Sequence, residues 1–186
     1  MKNKKNILLL FALVAITQLF VPLQMIFNQE NIINTGTEFK FQTAPIDPYD
    51  AFRGKYITLF FKEREIKVKN AKKYTSGETI FATIITTKNG FAKISSISRS
   101  KPENTDSYLK LKVGFAHNND KIAIDLPFNR FYMNENIASK AEKIYRESSI
   151  KKKNETYALV AIKNGEAFIK DVRINEVSIK DLANKK

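Results

Sequence analysis

A charge-free apolar run, Ile7–Phe27, lies close behind the basic opening MKNKKN and constrains this chain more than any other feature. Wound as a helix, it spans roughly 30 Å, the thickness of a bilayer's hydrocarbon core. Lys2, Lys4 and Lys5 precede it, and no Lys or Arg follows before Lys40. That asymmetry predicts a transmembrane anchor whose amino terminus stays in the cytoplasm while the rest crosses. A cleaved signal peptide needs a shorter apolar core, roughly 7–15 residues, and a small-residue cleavage site. Here Met25, Ile26, Phe27, Asn28 and Gln29 follow instead, so an uncleaved signal anchor is the reading taken, ahead of a buried core helix. Pro22 marks a kink or an early exit within the run.

The rest of the chain reads as one domain. Residues 1–6 form the basic flank, 7–27 the anchor, 28–36 a linker, 37–182 the domain and 183–186 a tail. From Thr37 the apolar period becomes two, with Phe39 and Phe41 alternating against polar neighbours, which predicts a strand. Pro45, Asp47, Pro48 and Asp50 are turn chemistry. Tyr56–Phe61, apolar on both faces, is expected as a single central strand, and 62–73 as an exposed basic strand or loop. Asn-Gly pairs at Asn89-Gly90 and Asn164-Gly165 predict two hairpins, one joining 79–86 to 91–98 and the other joining 156–163 to 166–174. Tyr108–Phe115 and the Ile122, Ile124, Leu126 alternation add strands, with 116–120 as a turn. A helix capped by Asn134 or Asn136 would bury Ile137, Ala141, Ile144 and Tyr145. Val177–Ile179 closes the sheet. The expected fold class is therefore mainly β (α+β): a transmembrane helix, then an antiparallel β-rich domain with hairpins and one amphipathic helix.

The two hairpins share a faint likeness, ATIITTKNGFAKI from Ala82 and ALVAIKNGEAFI from Ala158. Each follows an Arg-plus-Tyr segment, Arg53 with Tyr56 and Arg130 with Tyr132. Internal duplication and convergent hairpin chemistry both account for this, and convergence is the simpler account.

Composition excludes much chemistry. The chain has no Cys, hence no disulfide or thiolate site, and its one His, His117, cannot build a His-based metal cluster. It falls in the turn HNND, where an exposed loop histidine is expected. No metal site and no cofactor are predicted. Lys plus Arg number 32 against 19 acids, a net charge of +13, three of the cations lying in the amino-terminal flank. The remaining surplus suits a solvated surface, anionic lipid or an acidic polymer. No nucleic-acid partner is expected, because the predicted topology opposes it and no recognition motif is present.

Two blocks remain. In DPYDAFRGKYITLFF, Pro45 and Asp47-Pro48 lead to Arg53-Gly54, Tyr56 and Leu59; in the second, Arg130-Phe131-Tyr132 is followed by Glu135. Together they resemble the signature of the bacterial GDYXXLXY family over nearly the whole chain. Lys55 stands where that family's name has Asp, and Phe61 where it has the last Tyr. The resemblance implies a protein of the bacterial inner (cytoplasmic) membrane with an extracytoplasmic envelope domain and no assigned reaction. It also implies a polytopic membrane partner, because members are commonly encoded beside such proteins. The lipid bilayer, reached through Ile7–Phe27, is the other predicted partner.

For the site, Asp47, Arg53, Gly54, Tyr56, Arg130, Tyr132 and Glu135 are read first as a buried polar network bracing the fold. A binding pocket on the same residues is the second reading, and an envelope hydrolase built on Arg53, Tyr56, Arg130 and Glu135 the third. Glu135 and Asp47 are the weak catalytic candidates, a carboxylate pair suited to acid–base work. The function expected is a membrane-anchored binding or assembly module, with a purely structural accessory role as an alternative.

Overall fold

In the computed structural model, residues 2–45, 56–117, 120–150 and 154–185 are described. The first element, α1 (Lys2–Thr35), carries the whole apolar run and continues past it. Pro22 neither ends nor divides it. Side chains from Ile7 to Phe27 are exposed around the entire helix, the reverse of a soluble core helix. Residues 28–35, placed in the linker, are the last turns of α1. The helix stops where Gly36 donates its N–H to Ile32 O at 2.8 Å.

Gly36 is required by close approach. A Cβ there would lie 2.5 Å from Ile32 O and 3.0 Å from Ile162 O. Ile32 is buried against the domain, and Lys163 Nζ donates to Thr35 Oγ1 at 2.7 Å. The helix is thus clamped to the domain by backbone contact and by a side chain.

The domain is β-rich and antiparallel, as expected. β1 (Thr37–Gln42) pairs with β9 (Thr156–Lys163), which pairs with β10 (Glu166–Ile174) and through it with the short β11 (Val177–Ser178). A second sheet has β3 (Glu65–Lys67), β7 (Lys121–Asp125), β6 (Tyr108–His117), β4 (Thr79–Thr86) and β5 (Ala92–Ser98), in that spatial order. A two-stranded ribbon, β2 (Tyr56–Thr58) with β8 (Arg130–Tyr132), joins them. Apolar faces of both sheets merge in one core with Ala141 and Tyr145 of α2 (Glu135–Ile150) and Ile179 and Ala183 of α3 (Ile179–Asn184).

Four local expectations change. The stretch expected as one strand, Tyr56–Phe61, is strand only to Thr58. It changes partner: Leu59 N–H donates to Asn129 O, while Phe60 O accepts from Ala44 N–H and Lys62 N–H donates to Gln42 O. Ile57, Leu59 and Phe61, one face of the expected strand, are buried, while Tyr56, Thr58 and Phe60 on the other are half-buried, so one apolar face enters the core and β2 is not a central strand. The basic stretch from Lys62, expected as an exposed strand or loop, holds the edge strand β3 and a 3-10 turn, Ala71–Lys73, in keeping with that reading. His117 is the last residue of β6 rather than part of a turn. Arg130–Tyr132 is a strand where none was expected. Past Val177–Ser178 the chain forms α3, with Ser178 Oγ accepting from Lys180 N–H at 3.3 Å. Ser178 with Asp181 three residues on is a helix-start pattern that the sequence displayed.

The pairing is internally symmetric to a degree the sequence only hinted at. β1 pairs with the second hairpin (β9–β10), and β6 pairs with the first (β4–β5). The turn of each hairpin then bridges back to the other's added strand, Phe91 to Lys40 and Gly165 to Leu109. Each hairpin also carries one bulge at the same distance past its turn glycine (Gly90 to Ser95, Gly165 to Lys170). Two β units with exchanged first strands account for all three coincidences. The two Asn-Gly turns differ in geometry: Asn164 and Gly165 both have positive φ, at 53° and 91°, whereas at the first turn only Gly90 does, at 81°.

Candidate functional site

The ribbon brings the described parts of the two motif blocks together. Tyr56 stands opposite Tyr132, Ile57 opposite Phe131 and Thr58 opposite Arg130. Alternation along each strand sends Ile57 and Phe131 into the core, which commits Tyr56, Tyr132 and Arg130 to the other face. The Tyr56 and Tyr132 rings lie 5.3 Å apart, and the Arg130 guanidinium sits 4.9 Å from the Tyr56 ring centroid. Such a diagonal contact across antiparallel strands holds the cation against an aromatic face.

Immediately after the ribbon, Asn134 caps α2. Its Oδ1 accepts from Asn136 N–H at 3.0 Å, and its backbone O from Ile137 and Ala138. Glu135 is thereby placed in the first turn, where the helix dipole favours a carboxylate. Arg130, Tyr132 and Glu135 are exposed and Tyr56 is half-buried, so these four do not form the buried brace expected for them. The period-two geometry is the reason, since the buried face of the ribbon is already filled by Ile57 and Phe131. Asp47, Arg53, Gly54 and Lys55 lie outside the described residues.

Beside the ribbon is a groove of about 520 Å³. Gln29 of α1 forms one side; Arg130, Tyr132, Phe168, Lys170 and Lys180 contribute the rest, with Pro127 at its end. An adjoining opening of about 350 Å³ shares Gln29, Pro127 and Phe168 and extends to Met25 and Asn28 on α1. Lys170 is the extra residue of the β10 bulge, a device that re-aims a side chain. Its ammonium pairs with Glu38. Lys180, in the first turn of α3, lies 5.1 Å from the Phe131 ring. Sequence reasoning missed Gln29, Phe168, Lys170 and Lys180. A bulge leaves no residue-type signal, and Lys180 became visible only once the Ser178 cap placed α3.

A second polar cluster sits at the far end of β9. Tyr157 Oη donates to Glu176 Oε2 at 2.5 Å, Lys40 Nζ reaches Glu176 Oε1 at 2.6 Å, and Arg173 Nε pairs with Asp171 at 3.1 Å. The hydrogen bond from Lys40 leads in holding the Glu176 carboxyl below its ordinary range. The cluster surrounds the β10–β11 turn, where Asn175 and Glu176 have positive φ, 48° and 69°. Among the described residues no group of three or more His, Cys, Asp or Glu could hold a metal ion.

An apolar, unburied amino-terminal helix fused to an antiparallel β domain defines the class: a candidate membrane-anchored β module. The family model described as GDYXXLXY protein matches residues 18–172, and the chain belongs to the GDYXXLXY family. No curated protein and no solved structure matches the chain significantly.

Proposed function

We propose that this protein is a single-pass module of the bacterial inner membrane, amino terminus in the cytoplasm, whose extracytoplasmic β domain binds or assembles with a polytopic membrane partner. The observation that carries this reading is the continuity of α1. A bilayer-length apolar helix, exposed all round, runs without a break into the clamp at Ile32, Gly36 and Ile162. Such a junction holds the domain at a fixed height and angle over the membrane, which suits docking onto a neighbouring membrane protein better than sampling a soluble substrate. The basic flank before Ile7 supports the orientation.

The test is purification of the full chain from its own membranes in mild detergent, after confirming that it resists alkaline extraction. Recovery of a polytopic protein in stoichiometric amount supports the reading. An alkali-soluble, amino-terminally shortened chain, or one purified alone from membranes that contain its genomic neighbours, contradicts it.

The hydrolase reading requires the two motif blocks to be adjacent, and the contact between Arg130 and Tyr56 favours it to that extent. Hydrolysis of envelope polymers by the purified chain, abolished by Glu135→Gln without loss of folding, would establish it.

A further inference from the structure

We propose that the groove between the foot of α1 and the β2–β8 ribbon holds the phosphate of an anionic phospholipid headgroup, from the leaflet on the domain's side. The proposal rests on the anchoring reading above.

Placement is the first argument. The apolar run ends at Phe27, and Gln29, two residues on, lines the groove. Two residues of helix advance about 3 Å, so a groove beside Gln29 opens where hydrocarbon gives way to headgroups. The adjoining opening continues back along α1 to Met25, past Phe168 and Pro127, with Lys110 and Glu166 also on its wall. An acyl chain leaving the headgroup site would meet those apolar side chains and then the helix itself. Tyr132, 61% exposed at the rim, is the aromatic type favoured at this depth.

Charge is the second. The groove is lined by Arg130, Lys170 and Lys180 and, among the described residues, by no acid. Lys170 is satisfied by Glu38, whereas among the described residues Arg130 and Lys180 have no ion pair. Each is laid on a ring, Arg130 on Tyr56 and Lys180 on Phe131, so little side-chain freedom is lost on binding. A guanidinium held this way offers parallel N–H donors to a phosphate.

The experiment uses the full chain in nanodiscs of phosphatidylcholine, titrated with spin-labelled phosphatidylglycerol or, as reference, spin-labelled phosphatidylcholine, reading the immobilised fraction. Phosphatidylglycerol is expected to be immobilised preferentially. Arg130→Gln and Lys180→Gln should each weaken that preference about fivefold, and together about twenty-five-fold. Arg130→Lys, which keeps the charge but loses the parallel donors, should retain only part of it, and Lys67→Gln, on the edge strand β3, all of it. Equal immobilisation of the two lipids, no effect of Arg130→Gln with Lys180→Gln, or displacement by inorganic phosphate would each overturn the proposal, the last assigning the groove to a free anion. Release of the wild-type chain from discs would instead overturn the anchoring reading, whereas failure of the groove leaves every variant disc-bound.

Discussion

Tyr56 and Tyr132 face each other across an antiparallel ribbon, ring centroids 5.3 Å apart and planes inclined at 56°. The pair joins two sequence blocks far apart in the chain, and their strands are so short that side-chain contacts must supply much of the holding energy. A double-mutant cycle with Tyr56→Ala and Tyr132→Ala, followed by denaturant unfolding of the full chain in micelles, should give a coupling of about 0.5–1.5 kcal/mol. A coupling near zero would mean that the rings share the face without interacting.

Gly36 should tolerate no side chain. Its φ is not the obstacle; the carbonyls of Ile32 and Ile162 occupy the space a Cβ would need. Gly36→Ala is expected to cost about 1–3 kcal/mol by forcing backbone shifts. Limited proteolysis should then cut between Asn28 and Thr37, a region expected to be protected in the wild type. Unchanged protection would show that α1 is not clamped there.

Phe41, Phe61 and Phe128 form an edge-to-face triad with centroid separations of 5.1–6.0 Å, joining β1, the partner-switching segment after β2 and the approach to β8. Phe128→Ala should cost about 3–5 kcal/mol, read as a lowered unfolding midpoint. Phe115, 75% exposed, is the control, and Phe115→Ala should change stability by less than about 0.5 kcal/mol.

Tyr145 predicts an alkaline effect. Burial pushes its phenol up to about 12, offset in part by the nearby Thr43 hydroxyl. No hydrogen bond reaches Tyr145 Oη, and Thr43 Oγ1 gives its own proton to Thr156. In the unfolded chain the phenol titrates near 10. Below that pH both states hold the proton and the group exerts no pH dependence. Between about pH 10 and 12 the unfolded state ionises first, so stability falls, by on the order of 2 kcal/mol across the window. Tyr145→Phe should lose that component and, with no bond to break, be within about 1 kcal/mol of wild type at neutral pH. Parallel stability–pH curves for the two would refute the assignment.

The sequence was most legible where one period persisted. The alternation at Phe39 and Phe41, the two Asn-Gly hairpins and the Asn134 cap all carry their signal in adjacent residues, and each stands in the structure. The likeness of the two hairpin units was faint in residue identity because what they share is pairing and bulge position, neither of which fixes residue type. The site was less legible. Arg130 and Tyr132 were singled out, but nothing local reveals that Tyr132 lies opposite Tyr56, or that the ribbon's inner face is already filled. Non-local pairing decided exposure, and it turned an expected buried brace into an open aromatic and cationic face. The groove depends on a bulge, a capped terminal helix and the foot of α1 meeting in space, which no single window contains.

The central claim is that α1 crosses the membrane with its amino terminus inside and presents the β domain outside. Because the chain has no Cys, single introduced cysteines report topology without background. Lys4→Cys and Lys88→Cys place thiols on exposed positions before the anchor and at the first hairpin turn. On spheroplasts with intact membranes, a membrane-impermeant maleimide should label the Lys88→Cys chain at once and the Lys4→Cys chain only after permeabilisation. Labelling of Lys4→Cys but not Lys88→Cys in unbroken spheroplasts, or a Lys88→Cys chain recovered in the soluble fraction, would contradict the account.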